Sequence, residues 1–309
     1  MVIVLGEALI DMLSGETTNG EKAFVPHSGG SPFNTCIAIA RLGVPAGFLG
    51  RISKDFFGQM LINGLVENGV DLSFTQRGTE PTTLGFVKTS AGKDPEYAFY
   101  TTGTADCSLG SDELPESFPD SVKALMFGSI SLLMEPGATV IESLIKQEYG
   151  KRILSFDPNI RPGLIKNEAE FRSRCNRLFA LSSIVKISDV DLKWLYPGKS
   201  LDEASQSVKS FGPALVVVTR GAEGSFALKG DQEVSCMGTE VRVVDTVGAG
   251  DTFHAGLIAW LYKNELLNLE ALDTISADQL TEGLSFASKC AAVTCSRKGA
   301  DPPYEDEIL

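Results

Sequence analysis

A chain of 309 residues, 43% hydrophobic and 22% charged, is long enough for one large or two modest globular domains with a sizeable core. Its formal net charge of −13 argues against nucleic-acid and anionic-membrane partners, which reward a Lys/Arg surplus. A few backbone amides and one cation could still hold a phosphorylated small molecule. Cys36, Cys107, Cys175, Cys236, Cys290 and Cys295 form no CxxC pair, and the two histidines, His27 and His254, offer no zinc-ligand spacing. Reduced thiols in a cytoplasmic protein are expected.

VIVLGEA opens the chain as a short buried strand suited to the centre of a parallel sheet. No basic segment precedes it, and Glu7 and Asp11 interrupt its apolar run, which is unlike a signal peptide. No apolar run reaches the roughly 18 residues of a membrane span. Residues 83–100, TLGFVKTSAGKDPEYAFY, alternate as two strands around a Gly/Lys/Asp/Pro turn. With residues near 10–25 they predict a small antiparallel sheet apart from the main body.

From residue 124 onward strands and helices alternate. ALMFGSI, KRILSFD, IVKIS and ALVVVT read as strands; PGATVIESLIKQEYG, residues 168–182 and LDEASQSVKSF read as the helices between them. Two or three short strands are expected between 224 and 244, with VRVV a strand just before Asp245. Helices beginning near Gly250 and Gln279 complete the chain. This alternation predicts a mostly parallel sheet covered on both faces, in a single domain with a β excursion over about 10–25 and 83–101. Such sheets bind ligands outside the carboxyl ends of their strands. Polar clusters at Glu7–Asp11, Asp157–Arg161, Ser188–Asp191 and Thr219–Gly224 all fall at such ends and point to one shared site.

The stretch DTVGAGDTFHAG, residues 245–256, carries the chemistry. An apolar helical pattern (Phe253, Leu257, Ile258, Leu261) begins just after Gly250. Unpaired N–H groups and the positive end of the helix dipole at such a junction favour an anion. Gly248, Ala249 and Gly250 let an oxyanion approach the amides closely. Asp251 is then either a helix N-terminal acid stabilised by the dipole or a general base that takes a proton from a hydroxyl attacking a phosphoryl group. His254, three residues on, is expected to pack on the helix surface.

The spacing DTxGAGDxFxxG closely resembles the C-terminal signature of the ribokinase–fructokinase (PfkB) family of sugar kinases, and SGGSPFNTCIAIARLG, residues 28–43, resembles its N-terminal signature. The resemblance spans nearly the whole chain. It implies a ribokinase-like three-layer α/β sandwich with a mostly parallel central sheet and a small β-sheet lid over about 10–25 and 83–101. By that likeness Asp251 is the catalytic base and the amides of Gly248, Ala249 and Gly250 form the anion hole. Gly29, Gly30, Asn34 and Asp11, the last in GEALIDM, contact the sugar, with Tyr97 in the lid and Arg161 in DPNIRP as further contacts. Arg161 could equally pair with Asp157. TRGAEG resembles the nucleotide loop, so Thr219, Gly221 and Gly224 fall on the ATP side with Lys186, Ser188 and Ser288. Where many members carry Asn-x-x-Glu near metal and phosphates, this chain has Ser188-Asp-Val-Asp191, leaving Asp191 for Mg²⁺. Asp245, Val247 and Gly299 resemble the monovalent-cation site of potassium-activated members.

GEALIDM, FDPNIRPG and VKISDVDLKWL are most similar to the bacterial fructokinase branch. This implies ATP-dependent phosphorylation of fructose to fructose 6-phosphate, with Mg²⁺ and K⁺ as ions and a homodimer through the lid. A 2-keto-3-deoxygluconate kinase and a catalytically silent sugar or nucleotide sensor are the alternatives. The lid has no arginine for a sugar acid.

Overall fold

The computed structural model describes residues 1–90 and 93–308, with side chains at all of these except 87–97. Strand β1 (Val2–Leu5) is buried at all four positions. Val2 and Val4 face one hydrophobic core while Ile3 and Leu5 face another, the period-two alternation of a strand buried on both faces. It lies within a nine-stranded sheet ordered β13 (Gln232–Cys236), β12 (Ser225–Lys229), β11 (Leu215–Thr219), β10 (Ile184–Ser188), β9 (Ile153–Asp157), β8 (Ala124–Gly128), β1, β4 (Ala46–Ser53), β5 (Thr75–Gly78). The strands from β11 to β5 pair in parallel, and only β11–β12 and β12–β13 are antiparallel.

One face is covered by α1 (Ser31–Arg41), α2 (Phe56–Glu67), α7 (Ala249–Lys263), α8 (Leu269–Thr274) and α9 (Ala277–Cys295), whose apolar residues join the Val2/Val4 core. The other is covered by α3 (Gly137–Glu148), α4 (Glu168–Leu181), α5 (Asp189–Leu195) and α6 (Leu201–Lys209) over the Ile3/Leu5 core. The result is the α/β sandwich expected from strand–helix alternation.

A second sheet has the order β3 (Lys22–Gly29), β2 (Leu9–Glu16), β6 (Leu84–Ser90), β7 (Lys93–Tyr100). It departs from the expected all-antiparallel sheet, because its central pair, β2–β6, is parallel. Between the two hairpins the chain runs through α1, β4, α2 and β5, then returns at Thr83 to enter beside β2 in the same direction. Its first hairpin also extends to Gly29, past the expected limit near residue 25.

Two other expectations are corrected. VRVV at 241–244 is not a strand: Val243 and Val244 are each 59% exposed, and Val244 N–H donates to the Cys295 carbonyl instead of to a strand partner. Without a neighbouring edge, β propensity alone does not make a strand. The short helices α5 and α8 add to the predicted set; Ser188 and Asn268 cap them by accepting from Asp191 N and Ala271 N.

Candidate active site

Asp251 lies in the first turn of α7 and is 7% exposed. Ser31 Oγ donates to its Oδ1 at 2.6 Å, Asn34 Nδ2 to its Oδ2 at 3.0 Å, and Asn159 Nδ2 to Oδ1 at 3.4 Å. Three donors from two segments far apart in sequence thus replace the water lost by this carboxylate. Burial raises its pKa, opposed by the Ser31 and Asn34 hydrogen bonds; the charge of Asp157 raises it further and that of Lys186 lowers it. A carboxylate held above its ordinary range, yet fixed by directed donors, has the character of a general base.

The turn before it is built for close approach. Gly248 adopts φ +77°, and a Cβ there would lie 2.6 Å from the Ala300 methyl, so only glycine suits the position. A Cβ on Gly250 would lie 3.2 Å from Lys186 Nζ, which places a buried ammonium against the amide-lined turn. Lys186 Nζ bonds Asp157 Oδ2 at 2.8 Å. Although burial disfavours its charge, Asp157, Asp191 and Asp251 together raise its pKa, so it stays cationic. An ammonium and a helix N-terminus converging at one point form an anion site stronger than either alone.

Asp157 ends β9 and Ser188 ends β10, adjacent parallel strands, so the expected clustering at carboxyl ends holds here. Ser188 Oγ accepts from Asp191 N at 3.0 Å, and Asp191 Oδ1 accepts from Ile160 N at 3.0 Å. Burial, then the charge of Asp157, raises the Asp191 pKa. Among the described residues no group of three or more His, Cys, Asp or Glu side chains could hold a metal alone. Asp157 Oδ1, however, is buried without a hydrogen-bond partner. One orphaned carboxylate oxygen near a second carboxylate fits Mg²⁺ that arrives with nucleotide phosphates rather than a resident cage.

Across from this centre, the small sheet carries Asp11 on β2. A Cβ on Gly29 would come 2.5 Å from Asp11 Oδ2, and one on Gly85 would come 3.0 Å from Oδ1. The carboxyl is therefore seated between two glycines of the flanking strands β3 and β6. Burial raises its pKa to about 6, opposed by the charge of Arg161. Gly30 follows as the N-cap of α1 with φ +105°, and a Cβ there would lie 2.9 Å from the Glu7 carbonyl. Arg161 does not pair with Asp157. Its Nη1 donates to Asn159 Oδ1 at 2.6 Å and to the carbonyls of Asn159 and Ile160.

The remaining predicted residues divide. Thr219 ends β11, Gly221 has φ +54° with open space around it, and a Cβ on Gly224 would collide with the Cys236 carbonyl. Gly224 thus serves the approach to β13. Ser288 is buried on α9. Asp245 joins two loops: Oδ1 accepts from Val247 N at 3.1 Å and Oδ2 from Gly299 N at 2.9 Å. Tyr97 lies on β7 and its side chain is outside the described residues. His254 is not on the helix surface as expected. It is buried, its Nε2 is 2.7 Å from Ser155 Oγ, and burial lowers its pKa to about 4. Ser31 and Asn159 are the contacts that motif reading passed over. Ser31 sits three residues before Asn34, on the same helix face, and that spacing was the available signal.

A carboxylate fixed by directed donors in the first turn of a helix, beside a buried ammonium, suits phosphoryl transfer to an alcohol. The family model for pfkB family carbohydrate kinases matches residues 1–307, and the chain belongs to that family. It is 42% identical over 283 residues to a fructokinase of Rhizobium leguminosarum bv. trifolii, covering 92% of this chain and 86% of that one. The structure of a fructokinase with bound ATP from Xylella fastidiosa superposes with TM-score 0.91 at 27% identity, covering 100% and 97% of the two chains. A double-mutant fructokinase of Vibrio cholerae, in a form with fructose, ADP and potassium ion bound, superposes with TM-score 0.84 at 27% identity over 97% and 93%. No helix among the described residues is long and apolar enough to cross a membrane.

Proposed function

We infer that this carbohydrate kinase uses ATP to phosphorylate fructose at its 6-hydroxyl. The observation that carries phosphoryl transfer is the Asp251 clamp beside the Lys186-backed turn. The likeness to fructokinases supports the acceptor. In this reading Asp11, Gly29, Gly30 and Asn34 orient the sugar, with Tyr97 and Arg161 at its edge. Asp251 accepts the proton of the attacking hydroxyl while the amides at 248–250 and the Lys186 ammonium meet the charge of the transferred group. Both stay fixed because their side chains are held before substrate arrives. ATP lies along Thr219, Gly221 and Gly224, with Lys186, Ser188 and Ser288 on the nucleotide side. Mg²⁺ held by Asp191, with Asp157 beside it, would neutralise charge on the ATP phosphates. A monovalent cation such as K⁺ would sit by Asp245, Val247 and Gly299, whose two loops the Asp245 carboxylate already ties together.

The small sheet acts as a lid that excludes water from the reacting centre. Its surface exposes Phe24, Val25 and Tyr100, and the Phe24, Phe86 and Tyr100 rings pack edge to face. That apolar surface supports a homodimer through the lid in a cytoplasmic enzyme. Light scattering would test the dimer. ADP release measured over fructose, ribose, glucose and 2-keto-3-deoxygluconate tests the acceptor. Fructose is expected to give the highest kcat/KM; a higher value for 2-keto-3-deoxygluconate overturns it, and ligand binding with no product for any sugar would mean a silent sensor.

A further inference from the structure

Asp251 holds three donors of unequal quality. The Ser31 contact is 2.6 Å and the Asn34 contact 3.0 Å, both from α1, which also packs against β1 and α7. The third, from Asn159, is the longest at 3.4 Å and comes from the loop after β9. A substrate hydroxyl that gives its proton to Asp251 must donate to one of the same two oxygens. The contact that yields most cheaply is the long one, since hydrogen bonds weaken steeply with distance and misalignment.

Asn159 is also held in an unusual way. Its backbone φ is +40°, a left-handed conformation that asparagine, aspartate and glycine tolerate better than other residues. Its carbonyl oxygen Oδ1 accepts from Arg161 Nη1 at 2.6 Å, and the same guanidinium nitrogen also reaches the Asn159 and Ile160 backbone carbonyls. A cation on Oδ1 fixes which end of the amide is which: the NH₂ must point at Asp251. The loop therefore presents one oriented donor to the base and keeps it there if the base turns to another partner.

We propose that Asn159 is a positioning residue for phosphoryl transfer: its amide, oriented by Arg161, holds Asp251 in place and yields its seat on Oδ1 to the attacking hydroxyl. The inference rests on Asp251 as the base, as proposed above, and gives Arg161 a second task beyond any contact with the acceptor.

The left-handed backbone supplies the test. Asn159→Gly removes the amide and keeps the conformation; Asn159→Asp keeps the conformation and the Arg161 partner but turns the donor into a carboxylate facing Asp251. Each enzyme is assayed with ATP and whichever sugar the wild type phosphorylates best, with Tm as the check on folding. A hydrogen bond to a charged group accounts for roughly a tenfold to hundredfold effect, so kcat is expected to fall about tenfold for Asn159→Gly and further for Asn159→Asp. The acceptor KM should move less than kcat in both. The acid limb of kcat in Asn159→Asp should shift to higher pH, because a second carboxylate disfavours ionised Asp251. Arg161→Ala combined with Asn159→Gly should cost less than the product of the single losses. If Asn159→Gly folds and keeps kcat within about twofold of wild type, or if only the acceptor KM changes, Asn159 is a turn residue or a sugar contact and the proposal fails. Asn159→Gly alone suffices if Asn159→Asp does not fold. Asp251→Asn run alongside separates the two levels: full turnover in that variant would overturn the base assignment itself, whatever Asn159 does.

Discussion

The carboxylates proposed for proton transfer and for acceptor binding are held by opposite means around the two sheets. On the main sheet, β1, β8 and β9 are buried at every position, and Asp251 is gripped by side-chain donors from α1 and the β9–α4 loop. On the small sheet, β3 is exposed or half-exposed at all but its last residue, and Asp11 is shaped by absence, with glycine at 29 and 85 leaving room for its oxygens. The main sheet is a packed core in which a polar group must be paired. The small sheet is a partly solvated platform joined to the body by buried polar clusters. Thr83 and Thr104, which flank the β6–β7 hairpin, both donate to Asp106 Oδ1, at 2.5 and 2.9 Å. Asp55 Oδ2 accepts from Thr82 N and its Oδ1 from Thr82 Oγ. The difference teaches that kcat should reside with the main sheet and acceptor affinity with the small one.

Four experiments would break or sharpen that division. The largest effect is expected for Asp251→Asn, where loss of a positioned base should lower kcat by about 10²–10⁴ in an ADP-release assay, with the acceptor KM changing far less. In the wild type the acid limb of kcat should lie above the ordinary aspartate range, since burial raises the Asp251 pKa and the protonated form cannot accept. Asp11→Asn should act the other way, raising the acceptor KM by about 10–100-fold through the loss of charge-assisted hydrogen bonds; a fall in kcat alone would break the comparison. Gly29→Ala, which drives a methyl to 2.5 Å from Asp11 Oδ2, should raise that KM by about tenfold or less, as a displaced carboxylate keeps part of its bonding.

The last experiment concerns stability at the junction of the two sheets rather than turnover. Glu7 is fully buried, donors from Ser131 reach its Oε2, and burial raises its pKa to about 7. A carboxyl whose folded pKa exceeds its unfolded value stabilises the fold below the unfolded value and loses that contribution as pH rises toward about 7. Denaturant unfolding should therefore show the wild type losing stability relative to Glu7→Gln as pH rises from about 4.5 to about 7, and a flat difference would mean that Glu7 stays charged in the folded protein.

Much of this was legible in the chain. The all-apolar VIVL and LVVV runs read as strands covered on both faces, and the glycines before Asp251 marked the N-terminus of a helix, although the segment ahead of it is a loop and not the expected strand. Asn34 and Asp251 could be named as candidates because each lies in a short motif that resembles the family's. Asn159 and Ser31 could not, because an asparagine in a turn and a serine opening a helix look like caps until the partner 92 or 220 residues away is in place. His254 was missed for the same reason, as nothing local to α7 announces that Ser155 on β9 waits for it.

By itself, then, the sequence determined the layered α/β architecture and the helix start at the glycines before Asp251, because periodicity and glycine spacing act over a few residues, while the reaction class, and Asp251 as the candidate base, came from the likeness of its two motifs to the family. The tertiary structure decided the parallel β2–β6 pairing, the burial of His254 and the partners of Asp251, Lys186 and Arg161. Those depend on which distant strand ends converge, and on burial that makes each charged group find a partner there. Arg161 could have paired with Asp157 by any local rule. In the fold Lys186, on the neighbouring strand, holds Asp157, and Arg161 bonds Asn159 instead.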